Sequence, residues 1–146
     1  MTVLTLPMIT PDVDLKPINL MPVEGQPNAA LAYAVLDQID LVPEQWNQRQ
    51  WFRKSKCGTV ACFAGWACLL VGDEPQFEPI LHFTDCWDAI EVAAVGRDYS
   101  VPVGIRAALL LNIPGNQSFE LFHHANSRVR LGELVELYFG PRPVMV

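Results

Sequence analysis

From Val60 to Val71 the chain reads VACFAGWACLLV, with no charged or strongly polar side chain in the run. A helix built from such a run is apolar on every side and belongs inside a fold, not on its surface. Thr59 suits the N-cap of a helix over 60–71, Gly72 suits its stop, and Asp73-Glu74-Pro75 prevents continuation. On that helix Ala61, Ala64, Gly65 and Cys68 form a small side that admits close approach of a neighbour. Cys62, Phe63, Trp66, Leu69 and Leu70 form a large side that fills a core. The run is too short to cross a bilayer as a helix, which needs roughly 18 or more apolar residues.

A chain of 146 residues built around one such helix corresponds to a single domain. Apolar residues make up 51% and charged residues 18%, which favours a well-packed domain with apolar surface left for a partner. The net charge is −6, and no third of the chain is strongly basic, so the basic face that holds nucleic-acid phosphates is missing. The N-terminus lacks the pattern of a secretory signal. Cys57, Cys62, Cys68 and Cys86 are therefore expected to stay reduced in a soluble, cytoplasmic protein.

Residues 1–27 read as an extended arm. Pro7, Pro11, Pro17, Pro22 and Pro27 disfavour helix. Leu4, Leu6, Leu20 and Met21 give the arm an apolar character that a plain linker would not need, so it is expected to pack on its own domain or on a second copy. Residues 28–146 read as one globular helical domain. Asn28 caps a helix over about 29–41, with Leu31, Ala32, Val35, Leu36 and Ile39 on one stripe. Trp46, Trp51 and Phe52 anchor the segment after Pro43.

Ile90 to Val95 and Tyr99 to Val103 flank Gly96-Arg97-Asp98 as a β-hairpin, the alternative being a helix over 88–95. Pro102 opens a helix to about Leu111, Pro114-Gly115-Asn116 breaks it, and Ser118 caps a short helix. A last helix, about Leu131 to Phe139, places Leu131, Leu134, Val135 and Tyr138 inward. The expected fold is thus mainly α (α+β): a compact helical domain around a buried central helix, with a small hairpin and the N-terminal arm.

Several residues could carry chemistry. Cys57 precedes the expected helix N-terminus beside Arg53, Lys54 and Lys56, where positive charge and the helix dipole would favour a thiolate. His123 or His124 would serve as base and Asp85 or Asn126 as orienter, the outline of a thiol-dependent hydrolase or transferase. The plainer reading makes Cys57 a packed structural cysteine, and no catalytic residue is assigned. The spacing of Cys57 and Cys62 exceeds the usual zinc pair, which leaves a small metal-stabilised regulator as a third reading and no metal or cofactor assigned. Two helices around Pro114-Gly115-Asn116 could mimic a helix-turn-helix. The second would present Glu120, His123 and His124, without Arg or Lys, to the groove, which argues against nucleic acid as a partner. Asp73-Glu74 reads as a solvated carboxylate pair at a helix exit.

Cys57-Gly58-Thr59-Val60-Ala61-Cys62-Phe63-Ala64-Gly65-Trp66 resembles the signature Cys-Gly-Thr-x-x-Cys-x-Ala-Gly-Trp of small uncharacterised proteins of actinobacteria and actinobacteriophages. The segment 43–48, Gly72-Asp73-Glu74-Pro75, Arg106-Ala107-Ala108, and Leu121-Phe122 followed by Ala125-Asn126 are similar to that family as well, over about residues 28–140. The arm is not matched. The resemblance implies a phage setting and no mechanism. The expected function is a phage accessory protein that binds a host or phage protein, with a homo-oligomer through the arm as a further possibility.

Overall fold

The computed structural model describes residues 20–81 and 85–144. Among the described residues, five α-helices and two antiparallel sheets make the fold, with 43% of those residues helical and 19% in strands. The expectation of a mainly helical domain is therefore corrected to α+β. Residues 1–19 of the arm, and with them its packing or exchange between copies, lie outside the described residues.

The first helix, α1 (Ala29–Leu41), starts where expected. Asn28 Oδ1 accepts from the Leu31 N–H at 3.2 Å. The same side chain donates through Nδ2 to Leu110 O and Leu20 O, both at 2.8 Å, so one residue caps α1 and ties it to a distant helix end. Leu31, Ala32, Val35, Leu36 and Ile39 are buried as one stripe.

A 3-10 turn (Pro43–Gln45) leads to the hairpin β1 (Phe52–Ser55) and β2 (Gly58–Ala61), joined by the two-residue turn Lys56-Cys57. Gly58 follows that turn at φ +113°, backbone that a side chain rarely adopts. The signature is therefore not one helix. Its first half is a hairpin turn and a strand, with Thr59 and Ala61 facing inward in period two. The helix α2 (Phe63–Leu70) begins three residues later than expected, and Cys62, not Thr59, is its N-cap, accepting from the Gly65 N–H at 3.5 Å. The apolar run alone could not separate a buried strand from a buried helix. Cross-strand pairing decides it: Phe52 to Ser55 pairs on one side with Gly58 to Ala61 and on the other with β5 (Cys86–Ala89).

The short strands β3 (Glu74–Pro75) and β4 (Glu78–Pro79) follow α2. The first sheet has the order β2-β1-β5-β4. The second has the order β3-β6-β7, with β6 (Glu91–Ala93) and β7 (Ser100–Pro102) forming the expected hairpin and excluding a helix over 88–95. Ile90 is the step where the chain passes from one sheet to the other.

Then come α3 (Val103–Leu111), α4 (Gly115–Leu121) and α5 (Arg128–Phe139). Pro114-Gly115 starts α4 instead of only breaking α3, so Ser118 lies inside α4 and its hydroxyl bonds Gly115 O at 2.9 Å. Ser127 caps α5 through the Arg130 N–H, so the helix starts three residues before the expected Leu131, and Leu131, Leu134 and Val135 are buried as expected. Packed between α1 and α3, α2 forms the centre of one continuous core. Its small side is used as expected: a Cβ on Gly65 would lie 2.3 Å from Trp51 O and 2.9 Å from the Ala61 Cβ. Among the described residues no helix is long and apolar enough to cross a membrane.

Candidate functional site

Trp51 precedes β1, and its indole lies against α3 at Gly104, where an added Cβ would stand 3.2 Å from the ring. Edge-on to Trp51 lies Phe122, with centroids 6.4 Å apart, and Phe122 in turn stacks on Phe63 of α2. Trp51 and Phe122 floor an open groove of about 1040 Å³, with Phe63 buried behind them. One wall is α3, with Ile105, Ala108 and Leu109; the other is α4 and the turn after it, with Ser118, Phe119, His123 and His124. Ile105 is 59%, Leu109 64% and Phe119 77% exposed, so three large apolar side chains face water along one groove. No described lining residue is acidic, although the chain carries 16 acidic residues; Arg49, His123 and His124 supply the ionisable side chains besides the Cys62 thiol.

Gln48 holds the groove open at its base. It is buried between the elements, and its Oε1 accepts from the Phe63 N–H at 3.1 Å and from Trp46 Nε1 at 3.0 Å. Its Nε2 donates to Leu121 O and His123 O, both at 3.3 Å. One amide thus links the start of α2 to the end of α4. Sequence reasoning missed this role, because a glutamine in a polar segment carries no signal of burial.

The residues singled out for chemistry are spread apart. Cys57 is exposed in the β1–β2 turn, not before a helix, so no helix dipole acts on it. The basic patch beside it is engaged elsewhere. Arg53 pairs with Asp88 at 2.8 Å, Lys56 with Asp85 at 3.2 Å, and Lys54 lies over the Phe77 and Trp87 rings. Asp85 thus reaches the neighbour of Cys57. His123, beside Gln48, lies at the base of the hairpin, whereas Cys57 is at its tip. The intervening strand spans about 10 Å at ~3.3 Å per residue. Cys57, His123 and Asp85 are therefore not brought together.

The thiol that does share the groove with His123 is that of Cys62. Burial pushes it up to about 11, more than backbone N–H groups at the helix start lower it, so it stays a neutral thiol. His123 Nδ1 accepts from the Ala125 N–H at 3.1 Å, which puts the proton of the neutral ring on Nε2. Its ring stacks on His124 at 4.5 Å and meets Phe119 edge-on. Asn126 orients neither histidine; its Nδ2 donates to Glu120 O and Leu121 O at the end of α4.

Cys68 is buried in the core, where loss of water and the nearby Asp73 charge raise its thiol pKa. Among the described residues no group of three metal-ligating side chains converges. Asp73 is not solvated as expected: it is buried and bound by Arg106, while Glu74 is exposed.

No family model matches the chain, and neither does any curated protein or solved structure. Fold and groove together describe a small α+β protein with an apolar, acid-free groove between α3 and α4.

Proposed function

We propose that this chain is a phage accessory protein of the host cytoplasm that binds another protein through the groove between α3 and α4. One observation carries the reading: Ile105, Leu109 and Phe119 are more than half exposed side by side above a floor of Trp51 and Phe122. Such contiguous apolar surface is costly in water unless something covers it, and aromatic anchors in a groove are what a binding hot spot uses. The phage setting rests on the resemblance of residues 57–66 to the actinobacteriophage signature.

The test is capture from an actinobacterial host lysate by the wild-type chain and by Leu109→Asp and Phe119→Asp. Both side chains already face water, so the variants keep the wild-type thermal midpoint. A stoichiometric partner should be retained by the wild type and lost by both variants. Recovery of the same proteins by all three chains, or of none by any, would overturn the reading.

A further inference from the structure

We infer that the partner element received by the groove between α3 and α4 is an acidic amphipathic helix: its large apolar side chains enter the groove and its carboxylates meet Arg49 and the His123–His124 pair. The inference rests on the groove being the binding face proposed above, and adds the chemistry of what binds there.

Three observations carry it. The first is charge. The sequence holds seven arginines. Five are paired with carboxylates, and Arg97 bonds the Tyr99 hydroxyl. Among the described residues only the Arg49 guanidinium is left without such a partner, exposed at the groove; its backbone N–H, not its side chain, bonds Asn47 Oδ1. An unpaired guanidinium in a chain of net charge −6 is open to a carboxylate from outside. Arg49 follows Gln48, whose amide binds Leu121 O and His123 O, so it leaves the backbone beside the histidine pair. His123 adds a donor there, the N–H on its Nε2. Glu120 of α4 does not line the groove and is engaged by Arg130 and Tyr138.

The second is the backbone of the walls. Along α3 and α4 the N–H and C=O groups are used within the helices, and β7 contributes only Pro102, which has no N–H. A strand laid in the groove would find no ladder and would bury its own polar groups unpaired, whereas a helix pairs them internally. Ile105 and Leu109 lie one turn apart on α3, a ridge that apolar side chains at i and i+4 of a second helix can interlock with.

The third is a change of sign along the surface. Ile90 lines both the groove and an adjoining hollow that carries the exposed Glu78 and Glu91. Carboxylates on the occupant are favoured at the α4 end and repelled beyond Ile90, which sets the end of the helix that is acidic.

The experiment measures fluorescence anisotropy with the full chain and fluorescein-labelled peptides of about 15 residues, stapled on the outer face to hold them helical. Leucine, phenylalanine or tryptophan occupies i, i+4 and i+7, with glutamates flanking these anchors at one end. A twin set carries lysine for glutamate, and a third set keeps the glutamates but scatters the anchors round the helix. At least one glutamate peptide should saturate the wild type and bind about tenfold tighter than its lysine twin. Arg49→Glu should reverse that order, and Phe119→Asp should weaken the glutamate peptide about tenfold. Both side chains are exposed, so the variants keep the fold. A lysine twin or a scattered-anchor peptide that binds the wild type as well as the glutamate peptide would overturn the inference. So would an unchanged order in Arg49→Glu, or no saturable binding by any glutamate peptide. If Phe119-dependent capture succeeds while the glutamate peptides fail, this inference falls and the partner reading stands. If the peptides behave as expected while capture recovers nothing, the partner reading falls and the groove's preference for an acidic helix stands.

Discussion

Arg106 meets the carboxylate of Asp73 edge-on with two parallel hydrogen bonds, Nε to Oδ2 at 2.7 Å and Nη2 to Oδ1 at 3.0 Å. The Asp73 side chain is fully buried and also accepts the Val95 N–H at 2.8 Å. One carboxylate therefore joins the exit of α2, the end of β6 and the outer turn of α3. Asp73→Ala strands the guanidinium and an amide beneath the surface and is expected to cost about 3–5 kcal/mol of unfolding free energy. Urea melts of Asp73→Ala, Arg106→Ala and the double variant check this. The double variant should fall well short of the sum, since each single change already breaks the pair.

Gly65 tests the close approach of α2 to Trp51. A methyl group there would meet the Trp51 carbonyl at 2.3 Å, and that carbonyl belongs to backbone leading into the central strand β1, so neither side can yield cheaply. Gly65→Ala should destabilise by about 3 kcal/mol despite the better helix propensity of alanine. Because Trp51 also floors the groove, the shift should appear as a change in the tryptophan emission of the folded variant. A variant as stable as wild type with an unchanged spectrum would contradict the packing.

Much of this was legible in the sequence, and the gaps have physical causes. Asn28, the stripe of α1, the β6–β7 hairpin and the inward face of α5 follow from local signals, a cap, a period and a glycine turn. The first sheet was not legible. Its central strand reads Phe52-Arg53-Lys54-Ser55, which looks like a basic patch, and only the partners of Arg53 and Lys54 across the sheet, Asp88 and Trp87, make it a strand. Those contacts span more than thirty residues. The groove was hidden for a related reason: Ile105, Leu109 and Phe119 sit on two helices whose relative placement depends on Gln48, Phe122 and Trp51.

The thiols should separate by burial. Iodoacetamide at neutral pH is expected to label exposed Cys57 first, half-buried Cys86 next, and Cys62 and Cys68 only on unfolding, as read by mass spectrometry of time points. In the alkaline range, folded Cys62 holds its proton up to about 11 against an ordinary 9, so its contribution is complete below pH 9 and is lost as pH rises towards 11. At about 1.4 kcal/mol per pH unit the loss approaches 3 kcal/mol. Cys62→Ser keeps a capping oxygen for α2 without the titration, and its stability should fall less steeply between pH 9 and 11. Some slope should remain, because burial raises Cys68 in the same direction. Parallel pH profiles for variant and wild type would show that the Cys62 thiol is not held neutral by burial.

Gln48 makes the sharpest demand on side-chain chemistry. It donates twice, to Leu121 O and His123 O, and accepts twice, from the Phe63 N–H and Trp46 Nε1. Gln48→Glu preserves the shape but aims a carboxylate oxygen at two carbonyl oxygens. Gln48→Ala removes the conflict and leaves two donors and two acceptors without it. Each unsatisfied buried group costs about 1–3 kcal/mol, so both variants should lose at least about 3 kcal/mol. They should differ with pH. Burial against two carbonyl oxygens raises the introduced carboxyl's pKa above the unfolded value of about 4.3, and protonation restores one O–H donor, so Gln48→Glu should regain stability as pH falls from neutral towards about 4.5, while Gln48→Ala should not. Urea melts at pH 7 and pH 4.5, each referred to wild type at the same pH, decide it. If the glutamate and alanine variants respond alike to acid, Gln48 does not join α2 to α4 through its amide donors.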